Sequence, residues 1–172
     1  MAILLVILFC TIMLVAIGLS VMMYVFEGFG LMEMAKKKNE KNYWLAWIPY
    51  AKEYLRGKIA YGTNKGAVMY LCIAVGMVVI SFILSFIINI MMTFYEDSLD
   101  IVAIPLIIFT IITLLVSITY MVFYYITAYK IFKQFSENAV LMIVFTILTS
   151  GAMAPIFYFA IRKNNLRIEK NE

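Results

Sequence analysis

ILLVILFCTIMLVAIGLSVMMYVF, Ile3 to Phe26, contains no charged residue. A helix needs about 20 predominantly apolar residues to cross the hydrocarbon core of a bilayer. This stretch is long enough, and Glu27-Gly28-Phe29-Gly30 follows it. No Lys or Arg precedes it, so the basic start of a secretory leader is missing, and no small-residue cleavage site is clear. It reads as a retained span. Three further uncharged runs lie downstream, Ala67 to Phe94, Ile101 to Tyr129 and Ala139 to Ile161.

Composition points the same way. Of 172 residues, 65% are hydrophobic and 14% charged, with a mean hydropathy of +0.97. An average soluble domain is about 45–50% apolar and about 25% charged. A water-soluble fold of this length cannot hide so much apolar surface, because compact domains leave much of their surface in contact with solvent. The expected fold is therefore all-α, a single polytopic transmembrane bundle over residues 1–172. About four spans are expected, near 3–26, 67–94, 101–129 and 139–161, followed by a charged tail, 162–172.

Between the first two runs, residues 31–66 form a basic, aromatic connector. Lys36, Lys37, Lys38, Lys41, Trp44, Trp47, Lys52, Arg56 and Lys58 form a collar suited to anionic headgroups or to a protein partner. Within it, Ala51, Leu55 and Ile59 recur every four residues after Pro49, while Lys52, Glu53 and Arg56 face elsewhere. That pattern predicts an amphipathic helix in the interface plane, Pro49 suiting its first turn. Tyr24, Tyr43, Trp44, Trp47, Tyr70, Tyr95 and Tyr129 sit near run ends, as interface aromatics do.

Charge bias sets the expected orientation. The first connector carries eight Lys and Arg and the acidic turn at Glu96-Asp97 carries none. Cytoplasmic loops are enriched in Lys and Arg, so the connector is expected inside and the N-terminus outside, with Lys130 and Lys133 also inside. The tail conflicts with this. If 139–161 crosses, Arg162, Lys163, Arg167 and Lys170 fall outside. A kinked crossing is the simpler reading of so long a run. The alternative is a re-entrant hairpin broken at Ser150, Gly151 and Pro155, which returns the tail to the inside but needs protein or water around its turn.

Candidate chemistry is sparse. The four runs hold no Asp, Glu, Lys or Arg, and the chain has no His. This removes the usual intramembrane acids, bases and metal ligands, so no catalytic residue, cofactor or metal site is expected. Cys10 and Cys72 lie in apolar runs and read as small hydrophobes. Two polar stripes remain: Ser81, Ser85, Asn89 and Thr93 in the second run, and Thr110, Thr113, Ser117, Tyr120, Tyr124 and Thr127 in the third. Spacings of three and four put each set on one helix face. Interhelical hydrogen bonding is the plainer use, at about 0.6–2 kcal/mol per contact. A hydrated groove for a polar or lipidic solute is the sharper one.

Gly30-Leu31-Met32-Glu33-Met34-Ala35-Lys36-Lys37, Trp44-Leu45-Ala46-Trp47-Ile48-Pro49, Tyr54 and Lys58-Ile59-Ala60 form a distinctive series. It resembles the signature of a family of small multi-pass bacterial membrane proteins of unknown function. Tyr129 to Phe135 also resembles that family's basic connector, whereas Ala51-Lys52 stands where Tyr-Asn is common. The resemblance implies a bacterial plasma membrane and no particular reaction. The expected role is an accessory or interaction subunit, not an enzyme, with the bilayer and a protein as partners and no nucleic acid. A small carrier of a polar or lipidic substrate and an immunity protein against a membrane-active peptide are the alternatives.

Overall fold

A computed structural model describes residues 2–94 and 99–166. The fold is helical throughout, with no strand among the described residues. Three helices are long and apolar enough to cross a membrane: α1 (Ala2–Lys37), α3 (Asn64–Phe94) and α4 (Leu99–Phe135). A short 3-10 turn, Tyr43–Trp47, and α2 (Ala51–Tyr61) occupy the connector, and α5 (Ala139–Leu148) and α6 (Ala154–Ile161) complete the bundle.

The first helix does not stop at Glu27-Gly28-Phe29-Gly30. It runs on to Lys37 because those glycines serve close packing. A Cβ at Gly30 would lie 2.6 Å from the backbone of Tyr158 in α6. Outward of Tyr24 the picture reverses. Leu4 to Met22 are all exposed, and a Cβ on Gly18 would meet nothing within 4 Å.

The fourth apolar run is not one helix. It divides at Thr149–Met153, where Ser150 (φ 52°) and Gly151 (φ 91°) adopt left-handed backbone and Pro155 sits in the first turn of α6. At 1.5 Å per residue, α5 and α6 are each too short to cross. They return on themselves: Asn164, after α6, donates to the carbonyl of Phe135, before α5, at 2.9 Å. The expected count of about four spans thus corresponds, among the described residues, to three long helices and a hairpin of two short ones. Arg162 and Lys163 consequently lie at the same end of the bundle as Lys36–Lys38, where Lys37 donates to the Asn164 carbonyl at 2.7 Å. Arg167 and Lys170 fall outside the described residues, as does most of the acidic Tyr95–Asp100 turn.

The core lies at that end. Leu31, Met34, Leu55, Ile59, Ile131, Phe132, Phe135 and Tyr158 are almost fully buried there. The opposite halves of the long helices expose their apolar side chains, from Phe82 and Phe86 to Ile104 and Leu114.

Candidate functional site

α2 departs most from the expected interfacial helix. Leu55, Ile59 and Ala60 are buried, but so are Glu53 and Arg56, at 7% and 2% exposure. The helix packs against α1, α3, α4 and the 3-10 turn. Gly57 permits the approach to α3: a Cβ there would lie 2.9 Å from Cα of Ala67 and 3.0 Å from Cβ of Tyr70.

Burying charge requires counter-charge, and α1 supplies it. Arg56 pairs with Glu27 of α1 and with Glu53 one turn earlier in α2. Lys52 Nζ donates to the other oxygen of Glu27 at 2.7 Å. The four charges sum to zero. Arg56 also donates to the Tyr70 hydroxyl of α3 at 3.4 Å, and its guanidinium lies 5.2 Å from the centre of the Tyr124 ring of α4. Burial opposes the charge on Arg56, but Glu53 and Glu27 outweigh it and raise its proton affinity above the ordinary guanidinium value. The Tyr158 hydroxyl of α6 is buried without a partner, as is Nε of Arg56. Each of the long helices and the hairpin thus contributes a side chain around Arg56.

The rest of the collar is largely committed inward. Lys38 donates to the carbonyl of Ile59 and Lys37 to that of Asn164. Lys36 pairs with Glu33 and lies over the Tyr43 ring. Lys58 pairs with Glu40 at 3.6 Å and with Asn64. Trp47 packs over Gly28 and edge-on to Phe29, and its carbonyl accepts from the Tyr24 hydroxyl at 2.6 Å. Trp44 and Lys41 remain exposed. Most of these side chains staple the connector to the bundle. For Lys37, Lys38 and Lys52 the sequence could not show this, because their partners, the carbonyls of Asn164 and Ile59 and the Glu27 carboxylate, are remote in the chain.

The polar stripes do not meet. Ser85, Asn89, Thr93 and Thr110 are exposed, Ser81, Thr113, Ser117, Tyr120 and Tyr124 are half-buried, and only Thr127 is buried. Asn89, Thr93, Thr110 and Thr113 each donate to the carbonyl four residues back in their own helix. Among the described residues no hydrogen bond joins the two sets. Between α3 and α4 lies a mainly apolar cleft of about 320 Å³, lined by Ile73, Gly76, Met77 and Val116 among others. At the inner end Thr127 approaches Tyr61 of α2 at 3.4 Å, and Tyr120 and Tyr124 stack toward the Arg56 cluster.

The hairpin turn reaches the level of Tyr124, whose ring is 3.5 Å from where a Gly151 Cβ would stand. Thr149, Ser150 and Ala152 in that turn are exposed. So are Val140, Leu141, Val144, Phe145, Ile147 and Leu148 along α5. A non-helical, polar turn therefore caps the far end of an apolar hairpin. Beyond it, Leu4 to Met22 of α1 are all exposed.

Comparison of the chain with protein-family models, with curated proteins and with solved structures finds no match.

Proposed function

We propose that this chain is a non-catalytic interaction protein of a bacterial plasma membrane, an accessory subunit that receives a partner's transmembrane segment beside its hairpin. One observation carries the reading: the exposed turn at Thr149–Ala152 sits at the apolar tip of α5 and α6. Exposed irregular backbone is not stable against lipid and is tolerated only under protein or beside water. The turn's amides are bonded within the hairpin, as from Gly151 to the Thr146 carbonyl at 2.7 Å, but Thr149, Ser150 and Ala152 are uncovered, and Leu4 to Met22 of α1 are exposed as well. A partner helix packed along that stretch of α1 and over the turn shields both. The charge rule supports the Lys36–Lys65 connector and the Arg162 end on the cytoplasmic side, with the start of α1 outside.

The carrier alternative has less support, because its hydroxyl stripes bond to their own backbones.

A photo-crosslinking residue placed at Ser150, at Leu19, which continues the hairpin-facing line of Gly30 and Phe26 along α1, or, as a lipid-facing control, at Phe82 tests the proposal in native membranes. The same protein adduct at Ser150 and Leu19, and none at Phe82, is expected. Lipid adducts alone at all three positions would overturn it. Adducts recovered only with a second, differently tagged copy of the chain would replace the accessory subunit by a self-assembly.

A further inference from the structure

We infer that the groove between α1 and the end of α6 is a binding site for one anionic phospholipid, separate from the partner surface proposed above. The groove encloses about 430 Å³ between Phe29, Met32 and Glu33 of α1 and Phe159, Arg162 and Lys163. Its chemistry is split. Phe29, Met32 and Phe159 form an apolar wall, and Phe29 is 41% exposed. Arg162 and Lys163 form a cationic rim.

Among the described residues the rim's charge has no acidic counterpart. Glu33, the one carboxylate lining the groove, is already paired with Lys36 at 3.1 Å. Arg162 is held by its own helix, lying over the Phe159 ring and donating to the Phe159 carbonyl, and among the described residues it makes no ion pair. Lys163 is exposed and makes no ion pair or hydrogen bond among the described residues. Two positive groups thus converge at a fixed place, where the apolar length of α1 gives way to its basic end. A phosphodiester at that depth meets a guanidinium and an ammonium, and charge-assisted bonds of this kind are the strong ones. Acyl chains leaving the groove outward meet Val25, Met22 and Gly18, which follow Phe29 back along one face of α1 at helical spacing. Gly18 leaves that track open. The occupant is a membrane lipid because the groove joins a cationic rim to an apolar wall.

Native mass spectrometry of the full chain tests this. Protein released from mild detergent is titrated with phosphatidylglycerol, phosphatidylethanolamine or phosphatidylcholine. One phosphatidylglycerol per chain is expected to be retained about tenfold better than phosphatidylcholine. Arg162→Gln/Lys163→Gln abolishes the preference, and Lys163→Gln alone, which breaks no ion pair or hydrogen bond among the described residues, weakens it. The control Lys41→Gln/Lys133→Gln removes two exposed lysines away from the groove and leaves it intact. Equal retention of phosphatidylglycerol and phosphatidylcholine, a stronger preference for phosphatidylethanolamine, or equal loss in the control variant would each overturn the site. Crosslinking at Ser150 is unaffected by these variants, so the two proposals fail separately.

Discussion

Replacing Arg56 by Met tests whether the buried charge cluster holds the bundle together. The substitution keeps most of the side-chain volume and removes the cation. Glu27 retains Lys52 at 2.7 Å. Glu53 loses the one ion-pair partner it has among the described residues while remaining 7% exposed. Removing one member of a buried ion pair costs about 3–5 kcal/mol, because the remaining charge is stranded. For a chain of this size each kcal/mol lowers the melting temperature by about 2–4 °C, so Arg56→Met is expected to melt roughly 6–20 °C below the parent. Glu27→Gln leaves Arg56 with Glu53 and is expected to cost about 1.5–3 kcal/mol, the range for a hydrogen bond to a charged group. Arg56→Met/Glu53→Gln strands no carboxylate at Glu53 and is expected to recover part of the loss. The assay is thermal unfolding in lipid nanodiscs, followed by the labelling rate of a cysteine placed at buried Ala60. If Arg56→Met melts within about 2 °C of the parent, or no lower than Lys41→Met, the cluster does not stabilise the fold and the reasoning fails.

Gly57→Leu should separate α2 from α3, destabilising by about 1–3 kcal/mol through overpacking against Ala67 and Tyr70; an unchanged melting temperature in the same assay would contradict the close approach. Gly151→Val places a β-branched residue at φ 91° and should destabilise the hairpin by about 1–3 kcal/mol, read as faster proteolysis at the turn than in the parent. After Cys10 and Cys72 are replaced by Ser, single cysteines at Asn42, Asn138 and Asn164 should react with an impermeant reagent from the same side of sealed vesicles. Labelling of Asn164 from the side opposite Asn42 would restore a full fourth crossing.

Much of the architecture is legible in the sequence because lipid demands long uncharged runs, and α3 and α4 follow the two middle runs closely. The division of the last run is signalled by Ser150, Gly151 and Pro155. Its topology is not, since a run that spans by length looks the same whether it crosses or returns. What decides it is the contact of Asn164 with the Phe135 carbonyl, between residues far apart in the chain. The same limit hides the site. The four-residue spacing finds the Leu55 and Ile59 face of α2, but Glu53 and Arg56 look solvent-facing until Glu27 is seen beside them. Glu27 looks like a helix stop because it ends an apolar run and precedes two glycines. The clue was its chemistry: an acid at the end of a span, with a basic segment further along the chain.

That separation bears on how the chain enters the membrane. Glu27 and Arg56 are 29 residues apart, so at about 5–20 residues per second the ribosome takes roughly 1.5–6 seconds to deliver the arginine after the glutamate. Until Lys52 and Arg56 are made, Glu27 on α1 has neither of the cations that pair with it. A nascent chain stalled before Lys52 therefore holds α1 without its clasp.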